Sequence, residues 1–238
     1  MTYKTVGSQN HIHKFDLTDF KGRVFFTTDV HGCYDLLHEK MRECGFNSES
    51  DLLFSGGDWC DRGADSKYVL DYLTEHWVHS VQANHEDLFI GAYEEDFCGR
   101  YTNCILANGG EWIKGLTKIE AKLIYETFKA MPLGIEIFLP NKQRIGIVHA
   151  TVPYKDWDQF KNITKAELEW DGKNKVQWCR EQYDSKSDLV IKNIDWVLHG
   201  HSPTQSGKIE RFGNRIYCDL GSFFRDNLCF MEITNGIT

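Results

Sequence analysis

Three short runs in the first third of the chain gather carboxylate, imidazole and carboxamide groups. They are Asp29-Val30-His31-Gly32, Gly57-Asp58-Trp59-Cys60-Asp61-Arg62-Gly63 and Asn84-His85-Glu86. Oxygen and nitrogen donors of these types suit hard to borderline divalent cations such as Mn, Fe or Zn. Asp58 is suited to bridge two ions, because a carboxylate has two oxygens. Two ions about 3.5–4 Å apart can clamp the attacking and leaving oxygens of a phosphoryl group. Arg62 offers a planar fork of donors that matches phosphate oxygens. His85, next to Asn84, can stand beside the ions as a general acid whose ring Asp61 orients.

The elements that must position these groups are legible in outline. Each run lies where a β-rich stretch ends, at intervals close to one strand–helix–strand unit of about 30 residues. Residues 23–28, 51–55 and 78–82 read as strands. A helix over 34–44 places Leu37, Met41 and Cys44 together and stops at Gly45. Ser66 can cap a second helix, with Val69, Leu70, Leu73 and Trp77 on one face. Leu88, Phe89, Ala92 and Tyr93 mark a third. A parallel sheet of such units delivers its strand ends to one edge, where open α/β sheets bind ligands.

Residues 98–115 read as irregular, with a turn at Asn108-Gly109-Gly110. Thr117-x-x-Glu120 is a capping box for a helix that stops at Pro132. Ile135, Ile137 and Leu139 alternate, Pro140-Asn141 turns, and Ile145 and Ile147 resume, which predicts a β-hairpin with His149 at its far end. Residues 150–185, with Trp157, Trp170 and Trp178, carry no clear pattern. Strand-like runs follow at 195–199, 215–219 and 228–233. The order, αβ units first and β later, is that of a mixed α/β chain.

With 238 residues, 41% hydrophobic and 13% aromatic, the chain can bury a real core. One domain over 1–238 is expected, with 1–20 as an N-terminal extension or edge strand. No apolar run approaches the roughly 20 residues that cross a bilayer. The polar first 20 residues, with His11, His13 and Asp16, do not resemble a signal peptide. A cytoplasmic location without a membrane partner is expected. The eight cysteines include no C-x-x-C pair and are expected to be free thiols. A net charge of −8 argues against nucleic acid as a partner. Bound cations would still supply local positive charge for a phosphorylated substrate.

Taken in order, D-V-H-G-C-Y-D-L-L at 29–37, G-D-W-C-D-R-G-A at 57–64, A-N-H-E at 83–86, N-G-G-E-W at 108–112, the strand-end His149, Q-W-C-R-E at 177–181, G-H-S-P at 200–203 and Y-C-D-L-G at 217–221 resemble the PPP-type metallophosphatases. The likeness is to the bacteriophage lambda-type serine/threonine protein phosphatases and their enterobacterial relatives, from about residue 20 to 233. It implies a β-sandwich flanked by helices, two divalent ions (Mn first, with Fe, Zn or Ni as alternatives) and a phosphoprotein or phosphopeptide substrate. Asp29, His31 and Asp58 would hold the first ion, and Asp58, Asn84, His149 and His201 the second. His85 would be the general acid with Asp61 its partner, and Arg62, Arg180 and Asn84 would grip the phosphate. The implied reaction is direct attack by a hydroxide held between the ions on phosphoserine or phosphothreonine, with phosphotyrosine a further candidate. A location in the host cytoplasm follows if the chain is phage-encoded.

Thr28 and Ala83 stand where the family usually has glycine, so a different backbone angle or a shifted ligand is expected there. His149-Ala150-Thr151-Val152-Pro153 lacks the acid of the phage-like run. His199 is kept as an alternative ligand or an orienting group. His11, His13, His38, His76 and His79 read as surface residues, and Cys33 and Cys60 as packing or lining residues. Alone, Arg62 reads equally as a surface partner of Asp61, and Arg180 as part of a solvated helix face. Two other functions compete: a diadenosine tetraphosphate-type hydrolase, against which Glu86 and Asp61-Arg62 weigh, and an inactive phosphoprotein-binding module, which needs no general acid.

Overall fold

A computed structural model describes residues 4–5, 11–164, 167–168 and 173–237, so that Trp170 and parts of the first ten residues lie outside the described chain. The strands in chain order are β1 (Lys4–Thr5), β2 (Ile12–Asp16), β3 (Val24–Thr27), β4 (Leu52–Ser55), β5 (Val78–Ser80) and β6 (Gly134–Phe138). They continue with β7 (Arg144–Val148), β8 (Trp196–His199), β9 (Glu210–Phe212), β10 (Arg215–Tyr217) and β11 (Phe230–Glu232).

They form two sheets, one of four strands in the order β11-β3-β4-β5 and one of seven in the order β1-β2-β6-β7-β8-β10-β9. Strands β3, β4 and β5 are parallel, with Thr27 opposite Ser55 and Ser55 opposite Ser80, so their C-terminal ends align. Every residue of β3 and β4 is buried, the pattern of parallel strands covered on both faces. The predicted hairpin is β6 and β7, antiparallel, with Ile135 opposite Ile147. The sheets face each other across one core. Its Phe15–Phe54 ring pair, 5.0 Å apart, joins β2 of the large sheet to β4 of the small one. A second cluster around Trp157 and Phe160 includes Ile12, Val148 and Val197 from the large sheet.

The helices are α1 (Tyr34–Glu43), α2 (Leu70–Leu73), α3 (Asn84–Glu94), α4 (Arg100–Ala107), α5 (Lys118–Ala130) and α6 (Trp157–Lys161). The short α7 (Lys173–Trp178), α8 (Glu181–Asp184) and α9 (Ser222–Arg225) follow. Among the described residues, no helix is long and apolar enough to cross a membrane.

Four local expectations are corrected. Ser66 caps no helix, since its hydroxyl donates to the Gly63 carbonyl, a 3₁₀ turn covers Ser66–Tyr68, and Trp77 lies beyond the short α2. Residues 98–115 are largely helical, with α4 followed by a 3₁₀ turn at Glu111–Gly115. There Tyr101 closely approaches Gly91 of α3 and Ile105 enters the core. His11 is buried, with Nε2 3.0 Å from the Phe160 carbonyl. His79 packs between the sheets, 4.5 Å from the Phe15 ring and 5.2 Å from Phe54.

Candidate metal centre

The parallel ends of β3, β4 and β5 carry the three motif loops, and backbone bonds zip the first two together. Asp29 N donates to Gly57 O, His31 N to Asp58 O and Gly32 N to Trp59 O, each at 2.9 Å. Asp29, His31, Asp58, Asp61, Arg62 and His201 all take left-handed backbone angles, with φ between 49° and 71°. Such angles cost on the order of 1–3 kcal/mol each in a residue other than glycine, and persist where surrounding bonds over-determine them. Thr28 and Ala83 are not among them, and Ala83 is extended with φ −103°, so neither needs the freedom of glycine. The Thr28 hydroxyl instead donates to Asp29 Oδ2 at 2.6 Å.

Side chains from both halves of the chain meet at Asp58. Its Oδ2 lies 3.5 Å from His31 Nε2, 3.4 Å from His149 Nε2 and 4.0 Å from His85 Nε2. Among the described residues, two groupings present ligand atoms within 4.8 Å of one another: His31, Asp58 and His85, and Asp58, His149 and His201. Asn84 Oδ1 joins the second, 2.7 Å from His149 Nε2 and 3.1 Å from His201 Nδ1. The Asp29 carboxylate accepts from the His201 backbone N–H at 3.0 Å.

The donor set fits divalent cations. Nδ1 of His31 faces the Cys60 carbonyl at 2.9 Å and Nδ1 of His149 the Gly56 carbonyl at 2.7 Å. Nε2 of His201 faces the Trp178 carbonyl at 3.0 Å. Each ring thus spends an N–H on the backbone and turns its other nitrogen inward, the tethering that fixes metal-ligating histidines.

The site is also rich in buried acid. Burial and nearby Asp219 push Asp29 well above the usual carboxylate range, and burial and Asp58 push Glu86 up to about 7. Burial raises Asp219 to about 6, with Asp58 adding to the effect. Burial also acts on Asp58, but the His149, His85 and His31 rings outweigh it and hold that carboxyl well below its ordinary range. His149 answers in kind, since Asp58 and Asp29 overcome its burial and lift it to about 9. Burial, His149 and Arg180 hold His201 neutral, near 2. So much buried negative charge is what bound dications would offset.

The other expected residues surround this centre. His85 Nδ1 lies 2.6 Å from Asp61 Oδ2, and Asp61 Oδ1 accepts from Trp112 Nε1, also at 2.6 Å. Burial lowers the His85 pKa, but Asp58 and Asp61 more than compensate, leaving it raised. Arg62 does not pair with Asp61. Its Nη1 is 2.6 Å from His31 Nε2. Arg180 sits between α7 and α8 rather than on a helix face, donating to the His201 carbonyl at 2.6 Å and to Ser202 Oγ at 3.2 Å. His199 is buried on β8 and stacks on Tyr217, with Nδ1 3.0 Å from the Ala150 carbonyl. Cys60 and Cys33 are pushed up by burial and stay thiols, and all eight cysteines are free.

Three residues gain structural roles that the sequence reading did not assign. Trp112 steadies Asp61, and Asp219 adds a buried carboxylate, though both lie within quoted motifs. Glu86 binds the backbone N–H groups of Asp58, Trp59 and Ala83. Its position three residues after the N-cap Ala83 is a capping-box signal, obscured because Ala83 has no side-chain oxygen to complete the box.

The chain is 31% identical over 222 residues to serine/threonine-protein phosphatase 2 of Salmonella typhimurium, covering 91% of this chain and 95% of that one. It is 36% identical over 186 residues to the symmetrical bis(5'-nucleosyl)-tetraphosphatase of Buchnera aphidicola, covering 72% of this chain and 60% of that protein. Among solved structures, a cold-active protein tyrosine phosphatase superposes with a TM-score of 0.60 at 16% identity, covering 96% of this chain and 77% of that one, a likeness of fold. Residues 22–230 match the model of the calcineurin-like phosphoesterases, the family to which this chain belongs.

Proposed function

We propose that the protein is a metal-dependent phosphoprotein phosphatase that hydrolyses phosphoserine and phosphothreonine monoesters. The observation that carries the reading is the His85–Asp61–Trp112 chain, whose His85 ring reaches into one of two groupings of potential metal ligands while its Nδ1 is held by Asp61. Binding a phosphate ester needs no such acid, but breaking one does. The likeness to the Salmonella phosphatase over nearly its whole length supports the same substrate class.

In this reading Asp29, His31 and Asp58 hold one ion, and Asp58, Asn84, His149 and His201 the other. Two bound divalent ions, of which the family resemblance implies Mn first, would supply the activated water and the charge stabilisation that attack at phosphorus requires. Arg62 and Arg180, with Asn84, hold the phosphate oxygens in line for displacement. Asp61 occupies His85 Nδ1, so the proton that His85 gives to the leaving serine or threonine oxygen comes from Nε2. The Asp58 and Asp61 carboxylates raise the His85 pKa and so favour the protonated ring. Water adds to phosphorus as the ester bond breaks.

A second reading, hydrolysis of a dinucleoside polyphosphate, rests on the Buchnera alignment, which spans less of that protein. Mn-reconstituted protein should release phosphate from phosphoserine and phosphothreonine peptides faster than it cleaves diadenosine tetraphosphate, and the reverse order would favour the second reading. His85→Asn should lower kcat by roughly 10²–10⁴ while metal analysis still finds two ions per chain. Undiminished turnover of a poor leaving group by that variant would sink the acid role.

A further inference from the structure

The one-turn helix α9 lies between two left-handed residues, Gly221 and Asp226, and is pinned at both ends. Ser222 Oγ donates to the Asp29 carbonyl at 2.5 Å, and Arg225 Nη1 to the Thr204 carbonyl at 2.7 Å. The turn is thus fixed to the loop that carries Asp29 and to the segment following His201. Between these anchors Phe223 and Phe224 remain 42% and 49% exposed. Phe223 meets the His31 ring edge-on at 5.5 Å, and the Arg62 guanidinium lies 4.7 Å from its centroid. A rigidly mounted, solvent-accessible aromatic ring therefore touches both a candidate metal ligand and a candidate phosphate-gripping arginine.

We propose that Phe223 is a specificity-determining residue that packs its exposed ring against the aromatic ester of a phosphotyrosine side chain. The proposal rests on the phosphatase reading above and assigns a residue to the phosphotyrosine activity that the family resemblance leaves as a further candidate. A phosphate held by Arg62 lies beside Phe223, and an ester oxygen turned toward His85 stays near that ring, since His85 and Phe223 both pack on His31, at 4.8 Å and 5.5 Å. In phosphotyrosine the ring is bonded directly to that oxygen, which brings the two rings within the 4.5–7 Å range of aromatic pairs. Phosphoserine offers only a methylene there. In a nucleotide the sugar separates base from phosphate, which carries the base past this ring.

The test uses the Mn-loaded full chain and matched peptides that differ only in phosphotyrosine or phosphoserine. The readout is the ratio of their kcat/KM values in wild type, Phe223→Leu and Phe223→Tyr. The intrinsic difference between the leaving groups is common to all three proteins and cancels. The ratio should fall about three- to tenfold in Phe223→Leu and stay within about twofold in Phe223→Tyr. An unchanged ratio, or an equal loss on both peptides as a merely structural role through Arg62 would give, overturns the proposal. So does a larger loss on diadenosine tetraphosphate than on phosphotyrosine. If wild type releases phosphate from neither peptide, the phosphatase reading itself falls and takes this one with it.

Discussion

Glu86 accepts three backbone N–H groups from two different loops: Asp58 N at 3.2 Å, Trp59 N at 2.8 Å and Ala83 N at 2.9 Å. A carboxylate one methylene shorter cannot span all three, and a buried N–H left alone costs about 1–3 kcal/mol. Glu86→Asp should therefore lower the unfolding free energy of the metal-free protein by about that amount, read from urea denaturation. Equal stability would mean that the motif loops hold themselves. His79 predicts a pH effect away from the centre. Burial between the sheets, with the nearby His13 and His76 adding, holds its pKa at about 4 against an ordinary 6.5. The unfolded chain takes up a proton below 6.5 that the folded chain refuses until about pH 4. The stabilising effect is thus present in full above pH 6.5 and is lost as pH falls from 6.5 toward 4. At about 1.4 kcal/mol per pH unit the loss is on the order of 3 kcal/mol. His79→Leu should show a shallower fall in melting temperature between pH 7 and 4.5 than wild type, and parallel curves would refute this.

The secondary-structure elements show where local chemistry suffices. Thr117 and Glu120 close the expected capping box on α5: Glu120 N donates to Thr117 Oγ1 at 3.2 Å and Thr117 N to Glu120 Oε2 at 2.7 Å. Thr117→Ala should cost about 0.5–2 kcal/mol, measurable as a shifted urea midpoint with unchanged slope. An unchanged midpoint would show that α5 is held by its packing alone. The same residue-type logic failed at Ser66, whose hydroxyl was claimed by the Gly63 carbonyl in the metal loop. It failed also for α4, where only Thr102 and Ile105 are buried, too few to write a stripe. Strand β9 was missed because its three residues are only partly buried or exposed, so alternation had nothing to mark.

Across the whole molecule, the centre ties the two sheets together. The loops after the small sheet's strands carry His31 and Asp58, and α3 carries His85, while the loops after β7 and β8 of the large sheet bring His149 and His201 to the same Asp58. Ligands that bind only the folded state stabilise it by mass action, by about 2.7 kcal/mol at a hundredfold excess over Kd. Chelation should accordingly lower the melting temperature in calorimetry, and added Mn should restore it. Binding should also release protons near pH 7, because His149, held near pKa 9 by Asp58 and Asp29, must give up its proton to serve as a ligand. A melting temperature indifferent to metal would mean that these side chains do not hold one.

The sequence by itself determined which donor types occur, in what order, and that each of the first three sets closes a strand of one parallel sheet. Those properties are local, since strand ends, capping boxes and alternation depend on neighbours a few residues away. It did not determine which nitrogen each histidine turns inward, why Asp29, His31, Asp58 and His201 take left-handed angles, or that Glu86 braces two loops. It also left Arg62 free to pair with Asp61, where the fold sets it on His31 and Phe223 instead. These outcomes depend on carbonyls, carboxylates and rings contributed by distant segments. Only packing the hairpin and the later strands against the early αβ units brings those groups within bonding distance.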